Sequence, residues 1–531
     1  MSNVATREKR IAFLWQRFKG FWNQYRQTKR GMIGIIIILF FAVVAIFAPI
    51  LSPIDPLAPR MKGYYIQQQP KLCEKLCVPI WYKTILGMND LSENFLVFND
   101  HEYMTADSFT SQIEWRVLDS GYDVDVQYNS STGTHTDNGT RADGCIEITY
   151  TRNATEAPPS DGAVSVVLRR EFEWPYGDPP RSFWWHYSLY VENRTSMPVI
   201  PLSIGIQVQR DDEPQTTEVF TGSKTRVQKI TDAVVGNKWG GNTDQTTEVD
   251  GIEAIIFTGR GEYAWEFVIN IYDSGAGDKD VTVLVDNTQA ILYGNTFGLL
   301  GTSAIPKPTP RDLFTMLIYG TRISFMIGLL TAIFSVMIGL FVGLVAGYVR
   351  GLVDEGLMRF ADFLMVLPGL PLLIVLVTVL GRSIWNIIGV LIFMGWMGFS
   401  RSVRSMVLSL RERPFIESAK ASGAGIGYII YRHILPNVFA LVYISLATSV
   451  PGAIISEASL AWLGLGDVNV PSWGLMLYDF SRTETAVVTG LGQYWFWVVP
   501  PGVAIALMAL AFILMGFSLD EILNPRLRQR R

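Results

Sequence analysis

Twenty-one consecutive residues without a charge, Gly31–Leu51 (GMIGIIIILFFAVVAIFAPIL), constrain the fold of this chain more than any other feature. At ~1.5 Å rise per residue the run reaches about 31 Å as a helix, enough to cross a hydrocarbon core of ~30 Å. Basic residues precede it, so a secretory signal is the competing reading. The run exceeds the roughly 7–15 residues of a signal core, and no small-x-small cleavage site follows. A retained membrane anchor is expected. Apolar stretches then vanish for about 260 residues and return as a cluster. Spans are expected near Ile323–Tyr348, Arg359–Leu380, Ile384–Phe399, Val438–Leu460 and Trp495–Leu519, six with the first. The fourth is short, and Pro451 with Gly452 disfavours a straight helix in the fifth.

Charge placement sets the expected orientation. Charged residues make up only 17% of the chain, below the ~25% usual in soluble proteins. With a mean hydropathy of +0.24, this excludes a disordered or collagen-like chain. The net charge of −4 hides two opposite parts: residues 52–310 carry 20 Lys+Arg against 35 Asp+Glu, and the remainder 24 against 13. Residues 1–30 hold eight basic side chains against Glu8 alone; Arg526, Arg528, Arg530 and Arg531 end the chain; Arg401–Pro436 holds six more basic residues. Six spans put all three segments on one side, which the positive-inside rule makes cytoplasmic. The expected order is a cytoplasmic segment 1–30, a first transmembrane helix 31–51 and an extracytoplasmic domain 52–310. A core 311–519 of five transmembrane helices with a cytoplasmic loop 401–436 follows, then a basic cytoplasmic tail 520–531. The expected location is the plasma membrane, multi-pass.

The outer insertion reads as mainly β. Runs rich in Val, Ile, Tyr, Phe and Trp lie between turn residues at Ile146–Arg152, Val164–Trp174, Phe183–Asn193, Val199–Arg210, Glu253–Thr258, Tyr263–Tyr272 and Val281–Val285. Short strands between Gly-, Asp- and Asn-rich turns favour an antiparallel sandwich. Sequons at Asn129, Asn138, Asn153 and Asn193 permit glycosylation of an external surface. Cys73, Cys77 and Cys145 allow one disulfide in an oxidising compartment, with no preferred pair. His101, His135 and His186 are scattered, without metal or catalytic spacing. The aromatic clusters Phe183-Trp184-Trp185 and Trp174-Pro175-Tyr176 read as core before they read as a ligand platform.

The most informative stretch is RERPFIESAKASGAGIGYIIYRHILPNV, between the fourth and fifth spans. Phe415–Ser422 reads as a short helix with small residues on its surface, broken by Gly423 and Gly425; Pro436 and Asn437 suit the start of the next span. Glu417, Ala419 and Gly423 fall on an E-x-A-x-x-x-G spacing, and after nine intervening residues comes His433-Ile434-Leu435-Pro436. This resembles the EAA loop of the membrane subunits of ABC importers, with Ser418 and His433 as departures. Phe47-Ala48-Pro49, Asp55-Pro56, Arg311-Asp312, Tyr319-Gly320-Thr321-Arg322-Ile323-Ser324 and Glu457-Ala458-Ser459-Leu460 extend the likeness. So do Leu463-Gly464-Leu465-Gly466, Pro471-Ser472-Trp473-Gly474 and Asn524-Pro525-Arg526-Leu527. Together they resemble the C-type permease subunit of dipeptide/oligopeptide importers over residues 25–56 and 311–528. The insertion is a departure, since that family usually joins the first two spans by a short stretch.

The resemblance implies a six-helix, type I importer permease core carrying an inserted sandwich-like domain. It implies a non-catalytic subunit: Gly222-Ser223-Lys224 lacks the glycine spacing of a phosphate loop, so ATP and Mg2+ are used by partners. The implied partners are a second homologous permease, two ATP-binding subunits, an extracytoplasmic substrate-binding protein and membrane lipid, with no nucleic acid. Glu417, Ala419, Gly423, Gly425, Leu435 and Pro436 would form the ATPase-coupling contact. Glu457, late in the fifth span, is a candidate gate residue. Asp362 is expected to pair with Arg359, three residues earlier, and Arg322 to snorkel to headgroups. Peptides are the expected cargo and oligosaccharides the alternative; a membrane-anchored receptor or adhesion protein is the more remote reading.

Overall fold

The structure, a computed structural model, describes residues 19–57, 76–99, 114–118, 122–129, 145–193, 199–210, 217–221, 225–228, 239–242, 254, 256–273, 277–304, 310–483 and 491–523. It divides into two compact units: Met1–Ala58 with Ser303–Pro306 and Arg311–Arg531, and Pro59–Thr302 with Lys307–Pro310.

The first unit is helical. Its elements are α1 (Lys29–Leu51), α2 (Leu313–Val349), α3 (Leu352–Val366), α4 (Gly369–Leu380), α5 (Ile384–Arg411), α6 (Pro414–Ala421), α7 (Ile426–Trp462), α8 (Trp473–Ser481) and α9 (Leu491–Leu523). Helices α1, α2, α5, α7 and Tyr494–Ile522 of α9 are long and apolar enough to cross a membrane. The span expected over Arg359–Leu380 is built of two helices, α3 and α4, bent by 94° at their junction and together long and apolar enough for a sixth, broken span. Pro368 causes the break: the residue before a proline is steered out of the helical region, and Leu367 has ψ 138°.

Other boundaries shift as well. Helix α2 begins ten residues before the expected start because Asp312 caps it, accepting from the Thr315 backbone N–H at 3.0 Å. Helix α5 runs past Phe399 to Arg411. Helix α7 starts at Ile426 rather than near Val438, and it continues unbroken through Pro451 and Gly452. Pro436 has no N–H to give, and the turn before it widens to a π turn at Ile430–Ile434, where the Leu435 N–H reaches the Ile430 carbonyl.

Close packing of α2 on α5 follows from Gly339, Gly343 and Gly347, one per turn. A Cβ at these positions would lie 2.7 Å from the Trp396 carbonyl oxygen, 2.6 Å from the Ser400 carbonyl oxygen and 2.7 Å from Val407 Cβ. Small residues at this spacing let apolar helices approach to backbone contact. Beyond that ridge, Arg404 holds Asp354 through two bonds of 2.5 and 2.6 Å, and Arg350 meets Glu412 at 2.8 Å. Asp362 does not pair with Arg359: it meets Arg401 of α5, while Arg359 takes Glu355, one turn earlier, at 3.5 Å. An acid four residues N-terminal to a base is the better helical pairing.

The second unit is two antiparallel sheets. Its strands are β1 (Phe95–Asn99), β2 (Glu114–Leu118), β3 (Asp123–Asn129), β4 (Cys145–Arg152), β5 (Ala163–Trp174), β6 (Ser182–Asn193), β7 (Val199–Arg210), β8 (Thr217–Thr221), β9 (Thr225–Gln228), β10 (Trp239–Asn242), β11 (Gly261–Tyr272) and β12 (Lys279–Tyr293). One sheet runs β10-β6-β12-β4-β3 with β1 on β12; the other runs β2-β5-β11-β7-β8 with β9 on β7. Alternate residues of both sheets, Ile146, Ile148 and Tyr150 with Val164, Val166 and Leu168, then Trp265, Phe267 and Ile269 with Val281, Val283 and Val285, form one core. That is the sandwich arrangement of inward-facing positions. The described residues of the expected strand Glu253–Thr258 are not in a strand. Ala254 and Ile256 are helical, and the buried Phe257 stacks on Tyr263 at 4.5 Å and meets Trp174 edge to face at 5.1 Å. Its hydrophobicity fills the core without joining a sheet.

Candidate coupling loop and the helix at the far end of α7

Helix α6 has Pro414 in its first turn, where a missing N–H costs nothing, and Glu417 near its N-terminus, where the helix dipole favours an acid. Its end is a Schellman turn: the Gly423 N–H bonds the Lys420 carbonyl at 2.9 Å, and the Ala424 N–H bonds the Ala419 carbonyl at 3.0 Å. Gly423 takes φ +79° there, the conformation glycine adopts without steric cost. Gly425 has ordinary extended geometry and precedes α7.

One residue of α6 is fully buried. Ile416 is fully buried in a cluster with Val403 and Val407 of α5 and Ile429, Ile434 and Val438 of α7. Ala419 is half-buried against the same cluster and Leu435 joins it from α7, whereas Glu417, Ser418, Gly423, Gly425 and Pro436 are exposed. Tyr348, at the end of α2, lies under both Arg411 (5.4 Å) and Lys420 (5.8 Å). The structure thus gathers all six expected loop residues at one end of the bundle. It adds Phe415, Tyr428 and Tyr431, exposed aromatic side chains that the motif spacing does not single out. Their signal is the aromatic content of the loop itself.

Glu457 lies elsewhere, 22 residues along α7 and so about 33 Å from Leu435. It is only 4% exposed. Its Oε1 accepts from Ser472 Oγ at 2.8 Å, and Ser472 Oγ accepts from the Leu475 N–H at 3.1 Å, capping α8. Trp473, fully buried, donates its indole N–H to the Leu317 carbonyl at 3.0 Å and sits where a Cβ on Gly320 would be, 2.7 Å away. Arg311 and Asp479 pair at 2.6 Å. Burial pushes the Asp479 carboxyl up, against the pull of the Arg311 guanidinium beside it. The sequence signal for this second site is Ser472 ahead of a helix, an N-cap pattern.

In the β unit, Asn129 donates to Glu147 at 2.8 Å, Asn153 stands exposed in a turn, and Asn193 ends β6; Asn138 lies outside the described residues. Cys77 and Cys145 are buried, with Cys77 Sγ 3.3 Å from the Gly294 carbonyl; Cys73 lies outside the described residues.

Comparison with known proteins shows the family of the chain. Residues 335–529 match the family described as binding-protein-dependent transport system inner membrane component. Residues 14–70 match the N-terminal TM domain of oligopeptide transport permease C. The chain is 35% identical over 221 residues to the dipeptide transport system permease protein DppC of Bacillus subtilis, covering 41% of this chain and 67% of that one. It is 37% identical to the probable peptide ABC transporter permease protein y4tQ of Sinorhizobium fredii, over 42% of this chain and 74% of that one. A solved chain of the MetNI methionine ABC transporter, inward facing, aligns with 42% of this chain and 99% of its own at 16% identity, with a TM-score of 0.31. With two family matches and these relatives, the chain belongs to the C-type permease subunits of dipeptide/oligopeptide ABC importers.

Proposed function

We propose that this chain forms half of the translocation pathway of an ATP-driven importer for dipeptides or oligopeptides. A second permease supplies the other half, two ATP-hydrolysing subunits drive the cycle, and an extracytoplasmic binding protein delivers the cargo. The observation that carries this is α6: a short, Gly-terminated helix anchored by the fully buried Ile416, with Ala419 half-buried beside it, presenting Glu417, Ser418 and Phe415 outward. Such a knob fits a groove on an ATPase, with Glu417, Ala419, Gly423, Gly425, Leu435 and Pro436 shaping the contact. Ile416 welds it to α5 and α7, so that a push on α6 moves whole spans. The basic segments support a cytoplasmic placement of both termini and α6.

The insertion 52–310 is then extracytoplasmic, and its net charge of −15 suits an electrostatic docking surface for the binding protein. The chain itself hydrolyses nothing and holds no cofactor in this scheme; ATP and Mg2+ act on the partner subunits. The test is affinity purification of the chain from its native membrane, followed by reconstitution. Co-purification of a second permease and ATP-hydrolysing subunits, with ATP-dependent uptake of labelled dialanine or trialanine, supports the reading. A chain that purifies alone and binds a ligand without transport favours the receptor alternative.

A further inference from the structure

A carboxyl inside an apolar bundle is costly and is a functional candidate by default, and the loop contact at the other end of α7 gives Glu457 no task. Its Oε1 accepts a hydrogen bond from the Ser472 hydroxyl, which leaves the Ser472 lone pairs for the Leu475 N–H. Its Oε2 has no hydrogen-bond partner among the described residues. One carboxyl therefore fixes the hydroxyl rotor and, through it, the cap of α8.

Two close approaches reinforce that strap. A Cβ on Gly474 would fall 2.7 Å from Ala461 Cβ, and one on Gly464 would fall 3.1 Å from the Tyr478 ring. Gly464 also ends α7 in a Schellman turn, with φ +81° and the Leu465 N–H on the Leu460 carbonyl at 2.9 Å. Helix α8 is thus folded back onto the last turns of α7. The first turns of that same helix bury Ile429 and Ile434 against Ile416 of α6. One continuous helix of 37 residues, about 55 Å long, joins α6 to α8.

We propose that Glu457 is a positioning residue for transport: its bond to Ser472 makes α8 follow the displacement that α6 imposes on α7. This rests on the importer reading above. On its other side α8 is held to the start of α2 by Arg311–Asp479 and by Trp473 on Leu317. Without the Glu457–Ser472 bond, α8 stays with α2 while α7 moves, and the far end of the pathway no longer responds to the ATPases.

The experiment uses the complete importer in lipid nanodiscs, with spin labels on non-cysteine residues introduced at Ile50 and Arg482. Distances are compared between the nucleotide-free state and the state trapped with ATP and vanadate. The wild-type pair shifts by about 2–5 Å. Glu457→Gln, which keeps the acceptor, preserves the shift. Glu457→Ala and Ser472→Ala lose at least half of it, while ATP hydrolysis stays within about twofold. A merely structural defect lowers hydrolysis and melting temperature in step with the shift, and that result overturns the proposal. So does a wild-type shift in Glu457→Ala, a Gln variant as defective as Ala, or no wild-type shift. If Glu457→Ala does not assemble, Ser472→Ala decides, since it leaves the carboxyl in place. Failure of the wild-type chain to recruit any ATP-hydrolysing subunit is a different outcome, and it counts against the importer reading itself.

Discussion

Arg311 and Asp479, 168 residues apart in the chain, meet as a buried ion pair at 2.6 Å with side chains 8% and 7% exposed. The pair fastens α8 to the segment that enters α2. Removing one partner of such a pair strands a charge in a low dielectric and costs about 3–5 kcal/mol, whereas replacing both by apolar groups is close to neutral. Asp479→Asn is expected to lower the melting temperature of the purified chain sharply, and Arg311→Met with Asp479→Leu to restore most of it. Equal melting of single and double variants would show that the pair contributes little.

A second buried pair governs the acid stability of the β unit. Asp273 is 1% exposed, meets Arg152 at 2.6 Å and Lys279 at 3.6 Å, and accepts from Tyr150 at 2.8 Å. Burial alone would raise its carboxyl, but the bonds from Arg152 and Tyr150 and the charges of Lys279 and Arg152 outweigh it and hold it below the usual range. A depressed folded value means stability that is present above the unfolded carboxylate range and lost as pH falls through the folded one. Chemical unfolding followed through Trp174, Trp185 and Trp265 should show this loss starting below about pH 4. Asp273→Asn should remove that part of the slope and cost about 3–5 kcal/mol at neutral pH.

The glycine ridge of α2 makes a steric prediction. Gly343→Leu drives a side chain into the Ser400 carbonyl oxygen, which as backbone cannot swing aside. A loss of about 3 kcal/mol or more, the upper end of overpacking, is expected in the melting of the purified chain. Gly398→Ala is the control. Nothing lies within 4 Å of its Cβ position in α5, and the change should stabilise by up to about 1 kcal/mol.

Gly423 separates folding from coupling. No atom lies within 4 Å of its Cβ position, so only the positive φ opposes a side chain. Gly423→Ala should cost about 1–2 kcal/mol, leaving membrane insertion intact. Gly423→Asp adds a charge to the proposed contact. It should insert normally, keep basal ATP hydrolysis in the assembled complex within about twofold, and lose most uptake. Normal uptake by that variant contradicts the assignment of this turn.

How much of this is legible in the sequence depends on whether a signal is local. Val199–Arg210 reads as a strand with the bounds the structure gives it, because alternation at Ile204, Ile206 and Val208 has one half-buried solution. The turn at Gly423 is legible for the same reason: a small helix followed by glycine encodes its own cap. The Leu367–Pro368 break is only half legible, since Pro368 is visible but apolar residues on both sides read as one straight span. Glu253–Thr258 imitates a strand because a buried aromatic plug has strand composition. The Glu457–Ser472 and Arg311–Asp479 contacts are not legible, because they depend on how Gly464 folds α8 back and on how α2 packs beside it.

The claim on which the account turns is that α6 touches an ATP-hydrolysing subunit. A photo-crosslinking residue placed at the exposed Ser418, irradiated in native membranes, tests it most directly. The account predicts an adduct with the ATPase whose yield changes between nucleotide-free and ATP-trapped states. An adduct formed only with extracytoplasmic protein, or labelling of this position in intact cells by a membrane-impermeant reagent, would contradict it.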